Sequence, residues 1–295
     1  MFPVINKQLL SKDVKRLDIR AEHIAGRIKP GQFVMVIPEP DGKWVPFSVV
    51  ECDRKKGTIT LIVREVGPAT QKLGEISINE TIFSILGPLG KPASIQKEGL
   101  VVCVSTGIGT AQILPICRAF KEAGNKVIGV IGAKTKRSLM LESQMRLTCH
   151  KLSIATEDGS YEKRGLATQL VKKFLDTEPV SLVYAIGSEE MMQEVGLLTS
   201  AKSIRMRAQL DPMMFCGFGV CGSCRVKIDG KEVLACQEGP EFDGHQVDFA
   251  DLRVRVHALR EAGRVDLAPT STSEWELSGS GSWRDRMAGF LKRFE

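Results

Sequence analysis

The sequence predicts a β + α/β fold: an antiparallel β-barrel, a parallel-sheet α/β domain and a small C-terminal segment rich in cysteine. Three observations predict it. Up to about residue 97 the chain is a series of short β-branched or alternating runs divided by turn residues. From about 98 to 206, apolar strand-length runs alternate with helical patterns. From 207 to 252, four of the eight cysteines gather around short β runs.

Composition sets outer bounds. A chain of 295 residues with 43% hydrophobic and 26% charged residues can bury a sizeable core and suits two or three domains. The net charge of +6 is modest and the basic residues are scattered, so nucleic-acid binding has no support. No run of 18 apolar residues exists, so no membrane span is expected. The N-terminus lacks an apolar core behind basic residues, so no signal peptide is expected. Cys52, Cys103, Cys117 and Cys149 are isolated in sequence, as reduced structural cysteines of a cytoplasmic protein would be.

In the barrel region (1–97), "GQFVMVIPE", "FSVVECD", "GTITLIVREV" and "ETIFSILGPLG" read as strands, separated by turns such as "EPDGK" and "DRKKGT". In the α/β region (98–206), the strands are "GLVVCVST", "KVIGVIGAK", "KLSIATEDG" and "VSLVYAIGS". The helices are "GIGTAQILPICRAFKEAG", "SLMLESQMRLT", "GLATQLVKKFLDT" and "EEMMQEVGLLTSA". From 253 to 295 we expect a linker and an amphipathic tail. The stretch 269–282 is rich in Ser, Gly and Thr, and Trp283, Met287, Phe290, Leu291 and Phe294 share one helical face.

The cysteine spacing is Cys216-x4-Cys221-x2-Cys224-x11-Cys236. A disulfide staple, zinc, a redox dithiol and an iron–sulfur cluster are the candidate chemistries. Zinc sites favour two knuckles of the C-x2-C type, whereas C-x4-C-x2-C with a remote fourth cysteine matches plant-type [2Fe–2S] sites. Gly217, Gly219 and Gly222 allow the loop to turn backbone N–H groups toward a negative cluster. The spacing favours [2Fe–2S], with zinc as the alternative.

A cluster that carries one electron at a time needs a second redox centre. Gly107, Ile108, Gly109, Thr110 and Ala111 form a glycine turn between the first parallel strand and its helix. A plain tight turn explains that motif equally well, but its position is where a pyrophosphate binds in such folds. Asp158, Gly159 and Ser160 end the third strand, and Gly187 and Ser188 the last, on the same sheet edge. In the barrel, Pro46 restricts the backbone, Ser48 offers a hydroxyl, and Gly67 to Thr70 suit a phosphate nest, although ordinary strands and turns account for them as well.

With "KPGQFVMV", "VPFSV", "GPLGKP", "TEDGSYEKRG" and "CGSCRV…ACQEGPEFDGH" in this order, residues 1 to about 252 resemble the ferredoxin–NADP reductase superfamily. The resemblance is to its branch with a C-terminal [2Fe–2S] site. That branch holds the electron-transfer subunit of dihydroorotate dehydrogenase, the sulfide dehydrogenase small subunit, and the small subunit of NADH-dependent ferredoxin:NADP oxidoreductase. "GPEFDGHQVDF" looks most like the last of these.

The resemblance implies FAD in the barrel, with Pro46, Phe47 and Ser48 along the isoalloxazine. It places Val63 and Arg64 near the ribose and adenine, and Gly67 and Thr70 near the pyrophosphate. It implies NAD(H) in the second domain, on Gly107 to Ala111 for the pyrophosphate, Asp158 to Ser160 beside it, and Gly187, Ser188 and Met191 toward the nicotinamide. Cys216, Cys221, Cys224 and Cys236 would hold the cluster. The implied role is an electron-transfer subunit of an NAD(P)H oxidoreductase complex, working beside a larger flavin and iron–sulfur partner. No side chain need act as acid or base in hydride transfer, so no catalytic residue is expected.

Three departures stand out. The family arginine before the flavin-motif proline is replaced by Lys43, Trp44 and Val45, with Lys43 a candidate substitute. The family's Gly-Pro is Gly187–Ser188 here. Some relatives carry aspartate at the position of Cys216. Lys134 and Arg137 would suit a 2′-phosphate, whereas the resemblance favours NAD(H).

Overall fold

The computed structural model describes residues 1–261. The expected linker and tail helix beyond that lie outside the described residues. Eight strands build the first unit: β1 Phe2–Ser11, β2 Val14–Arg20, β3 Phe33–Ile37, β4 Val45–Ser48, β5 Glu51–Asp53, β6 Thr58–Arg64, β7 Thr81–Ile82 and β8 Ser84–Leu89. They pair antiparallel in two sheets, ordered β5-β6-β2-β1-β7 and β4-β3-β8, with helices α1 Glu22–Ala25 and α2 Pro68–Glu75 between them.

β1 and β2 were not among the strands read from sequence. Their segment is highly charged, and only Val4, Val14, Leu17 and Ile19 are buried. Leu17 and Ile19 alternate with Arg16, Asp18 and Arg20, which is a half-buried strand pattern once β6 is beside it. Val4, Leu17 and Ile19 join Val34, Val36, Phe47, Ile59, Leu61 and Val63 in the barrel core.

A seven-stranded sheet follows, ordered β12-β11-β10-β9-β13-β14-β17. Its strands are β9 Leu100–Thr106, β10 Lys126–Ala133, β11 Lys151–Thr156, β12 Lys163–Arg164, β13 Leu182–Ile186, β14 Arg205–Gln209 and β17 Glu241–Asp243. The helices are α3 Gly109–Glu122, α4 Glu142–Thr148, α5 Ala167–Thr177 and α6 Glu189–Ser200. The four predicted strands are present and parallel. They are β9, β10, β11 and β13; β9, β10 and β13 are largely apolar because helices cover both faces, while β11 begins at the exposed Lys151 and is buried only from Ile154.

The sheet is wider than the sequence reading. β14 is a fifth long parallel strand, and β17 closes the edge antiparallel. β14 reads "RMRAQ", with Arg205 exposed and Met206 and Ala208 buried, so its polarity disguised it.

Between β14 and β17 lies the cysteine segment. It contains the hairpin β15 Arg225–Ile228 and β16 Lys231–Leu234, and the turn of helix α7 Ala235–Glu238. A last helix, α8 Phe249–Glu261, runs straight through position 252, so the linker expected from 253 does not begin there. One apolar core joins all three regions: it contains Phe33 and Met35 of the barrel, Val102 and Val104 of the α/β sheet, and Cys224, Val226 and Cys236. Among the described residues, no helix is long and apolar enough to cross a membrane.

Candidate redox and nucleotide site

Strand order places a crevice by topology. From β9 the chain winds outward to β10 and β11, then returns to β13 on the other side of β9. Ligands of doubly wound sheets bind at this reversal, at the carboxyl ends of the strands. The two loops there are Gly107–Ala111 and Gly187–Met191, and they touch. The Ser188 backbone N–H donates to Thr106 Oγ1 at 3.1 Å. A Cβ on Gly187 would overlap that hydroxyl and stand 2.7 Å from Met191 Cε, and one on Gly109 would stand 2.6 Å from the Ile186 carbonyl. Ser188 caps α6 by accepting from Met191 N–H at 3.3 Å.

Thr110 is buried and its hydroxyl shares a hydrogen bond with Ser105 at 3.2 Å. Asp158, Gly159 and Ser160 sit two strands away, beyond β10, where Asp158 Oδ1 accepts from both the hydroxyl and the backbone N–H of Ser160. Those bonds hold the Asp158 carboxyl below its ordinary range. The structure thus brings the first and last loops together and leaves the third at the flank.

A second cleft opens between the barrel and the α/β domain. Pro46, Phe47 and Ser48 form its barrel wall with Phe33. Gln112, Gln209, Leu210, Asp211, Met214 and Pro240 form the opposite wall, and sequence reading named none of them. The only advance signal was Gln112 following directly on the glycine turn. Desolvation pushes the Asp211 carboxyl up, aided by the Glu189 charge and opposed by a hydrogen bond from Gln112 Nε2 at 3.1 Å. Asp211 is enclosed by protein atoms yet exposed through the cleft mouth, so water tempers that rise.

The remaining barrel residues stand outside this cleft. Val63 is fully buried in the barrel core, leaving only its backbone for a ligand. Arg64 Nε bonds Asp13 Oδ2 at 3.3 Å. Gly67 caps α2, and Thr70 Oγ1 accepts from Val66 and Gly67 N–H and donates to the Gly67 carbonyl. That hydroxyl is committed to the turn.

The cysteine loop packs against the barrel. Gly217 has φ +79°, and a Cβ there would overlap Met35 Cγ and lie 2.8 Å from its Sδ. Met35 pairs in register with Pro46, which lines the cleft. One side chain therefore separates the loop backbone from the cleft wall strand.

The four thiols form two couples. Cys221 N–H donates to Cys216 Sγ at 3.4 Å, and the two thiols interact, as do those of Cys224 and Cys236. Burial pushes Cys216 up, but N–H groups of Cys221, Phe218 and Val220 outweigh it and hold the thiol below its ordinary value. Cys224 is pushed up to about 12 by burial and by Cys236 beside it. Among the described residues, no three His, Cys, Asp or Glu side chains converge as a single-ion site. Four thiols around a loop of inward N–H groups fit an iron–sulfur cluster, which Cys216, Cys221, Cys224 and Cys236 would hold.

Cys103, Cys117 and Cys149, isolated in sequence, meet in the core beneath α3. Cys117 interacts with both of the others, and the Cys103 thiol, with burial added, raises its pKa well above the ordinary value against the lowering contact with Cys149. A thiol raised in this way, as Cys117 is, stays protonated and inert.

A barrel cleft, a doubly wound crevice and a cysteine loop joined in one core define a flavin and iron–sulfur oxidoreductase of the ferredoxin-reductase type. Residues 1–93 match the oxidoreductase FAD-binding domain. Residues 211–248 match the iron–sulfur cluster binding domain of dihydroorotate dehydrogenase B.

The dihydroorotate dehydrogenase B (NAD(+)) electron transfer subunit homolog of Thermotoga maritima is 32% identical over 89% of this chain and 93% of its own length. An uncharacterized protein of the adh 3′ region of Clostridium beijerinckii is 29% identical over 97% of this chain and all of its own length. A chain of the NADH-dependent reduced ferredoxin–NADP oxidoreductase, solved in work on flavin-based electron bifurcation, superposes with TM-score 0.84. It is 30% identical and covers 90% of this chain and 95% of its own. The chain belongs to the family of dihydroorotate dehydrogenase B electron-transfer subunits and their homologues. It carries an oxidoreductase FAD-binding domain followed by an iron–sulfur cluster binding domain.

Proposed function

We propose that this subunit exchanges electrons with NAD(H) at its FAD and relays them singly through a [2Fe–2S] cluster to a larger flavin and iron–sulfur partner. When bound, FAD takes up and releases hydride equivalents and the cluster carries one electron at a time. Cys216, Cys221, Cys224 and Cys236 would be the cluster ligands, and Pro46, Phe47 and Ser48 the flavin wall. Gly107 to Ala111 and Gly187 to Met191 would hold the nucleotide, with Asp158 to Ser160 at its outer end. Gly67 at the start of α2 would face the flavin pyrophosphate through its backbone. A reducing cytoplasmic setting suits eight cysteines with no disulfide among them.

One observation carries the reading: Gly217 of the cysteine loop packs on Met35, whose strand partner Pro46 lines the cleft. This short connection supports direct transfer between flavin and cluster. Likeness to the ferredoxin–NADP oxidoreductase chain favours a bifurcating complex of that kind. The names of several relatives favour service to dihydroorotate oxidation instead. Co-purification decides: a partner with several flavin and iron–sulfur centres supports the first, and a partner that oxidises dihydroorotate supports the second. NADH is the expected nucleotide. Faster bleaching of the flavin band by NADPH in rapid mixing would reverse that assignment.

A further inference from the structure

We infer that Asp211 and Gln209 form a donor–acceptor pair that recognises the nicotinamide carboxamide, with Asp211 setting specificity for its amide NH2. The inference rests on the NAD(H) reading above.

Both residues line the cleft wall facing Pro46, Phe47 and Ser48. Gln209 is buried, and its Oε1 accepts from the fully buried Tyr184 hydroxyl at 3.3 Å. With its oxygen turned to Tyr184, the amide has Nε2 as its remaining donor. Asp211 Oδ2 accepts from Gln112 Nε2 at 3.1 Å, leaving Oδ1 as an acceptor. The wall thus offers one donor and one acceptor on side chains held from behind. A primary carboxamide has the complementary pair, a C=O and an NH2.

Position agrees with this chemistry. Gln112 follows directly on the Gly107–Ala111 loop, and Glu189 of the Gly187–Met191 loop is close enough for its charge to act on Asp211. Asp211 therefore stands where the nucleotide crevice runs into the flavin cleft. A dinucleotide with its pyrophosphate at those loops would present its nicotinamide end there. Asp211 is a positioning and specificity residue, since hydride transfer itself needs no proton from it.

The test is calorimetric titration of the holoprotein with NAD+, its 3-acetylpyridine analogue and ADP-ribose. The analogue replaces the amide NH2 by methyl and keeps the pyridinium charge, so the affinity ratio isolates the amide donor. The wild type should bind NAD+ about tenfold to a hundredfold tighter than the analogue, the range for a hydrogen bond to a charged group. D211A should bring the ratio near unity and leave ADP-ribose affinity unchanged. D211N keeps a carbonyl acceptor and should restore part of the discrimination, and it serves as the decisive variant if D211A fails to fold.

A wild-type ratio near unity overturns the inference. So does a wild-type ratio retained in the variants, or an equal loss of ADP-ribose binding. A wild type that binds none of the three ligands overturns the nucleotide reading as well.

Discussion

Replacing Gly217 by alanine tests the contact between cysteine loop and barrel. Two costs arise. The left-handed backbone at φ +79° costs a residue with Cβ about 1–2 kcal/mol. The new methyl also enters the space of Met35 Cγ and Sδ, and Met35 is fully buried, so it has nowhere to move. Overpacking of that kind costs about 1–3 kcal/mol. Together G217A should destabilise by about 2–5 kcal/mol.

Gly222 provides the control. Its φ is +69° but nothing lies within 4 Å of an added Cβ, so G222A should cost only the backbone share, about 1–2 kcal/mol. Denaturant unfolding of both variants measures the difference. Rapid mixing with NADH then compares cluster reduction with flavin reduction, and G217A should slow the former alone. Equal stability of the two variants, with unchanged cluster reduction, would refute the idea that Met35 carries the loop on the barrel.

C236S, which removes one member of the buried Cys224–Cys236 couple, should abolish cluster absorption and bound iron while flavin absorption persists. Iron-to-flavin stoichiometry checks it. Glu51 accepts from Arg118 of α3 at 2.5 Å and from Arg16 of β2 at 2.8 Å, tying the two domains. Burial opposes its ionisation, but the two guanidinium groups hold its carboxyl below the ordinary pKa of 4.5. E51Q should therefore cost about 1 kcal/mol at neutral pH after solvent screening. Because the folded pKa is the depressed one, that stability is present above 4.5 and is lost as pH falls through the folded value, so wild type and variant should converge in acid unfolding curves. T106V removes the acceptor of the Ser188 N–H and should weaken NAD+ binding about fivefold, read by calorimetry.

Much of this architecture was legible because its signals are local. Val101 to Val104 form an unbroken apolar run that only a doubly covered strand permits. The spacing from Cys216 to Cys224 reflects a single loop, with Gly217, Gly219 and Gly222 all at positive φ. What escaped was non-local. β2 is polar on one face and becomes a strand only beside β6. The Asp211 wall is assembled from the ends of β14 and α3, almost a hundred residues apart by the span from Gln112, and no spacing rule connects them. Thr70 is a phosphate-contact candidate by residue type, and its hydroxyl also has three partners in its own turn. Side chains that cap helices and side chains that hold anions are of the same residue types.

The cysteine segment leaves the sheet at β14 and returns at β17, where Leu210 N–H donates to the Pro240 carbonyl at 2.9 Å. Both ends are sewn to neighbouring strands of one sheet. A tether at one end would let the metal-bearing loop swing, whereas this double attachment leaves it no free lever arm. Electron tunnelling weakens exponentially with separation, so a centre on such a mount keeps a nearly constant distance to the cleft. Docking and release of a partner would then change where electrons go next without altering how quickly they reach the exit.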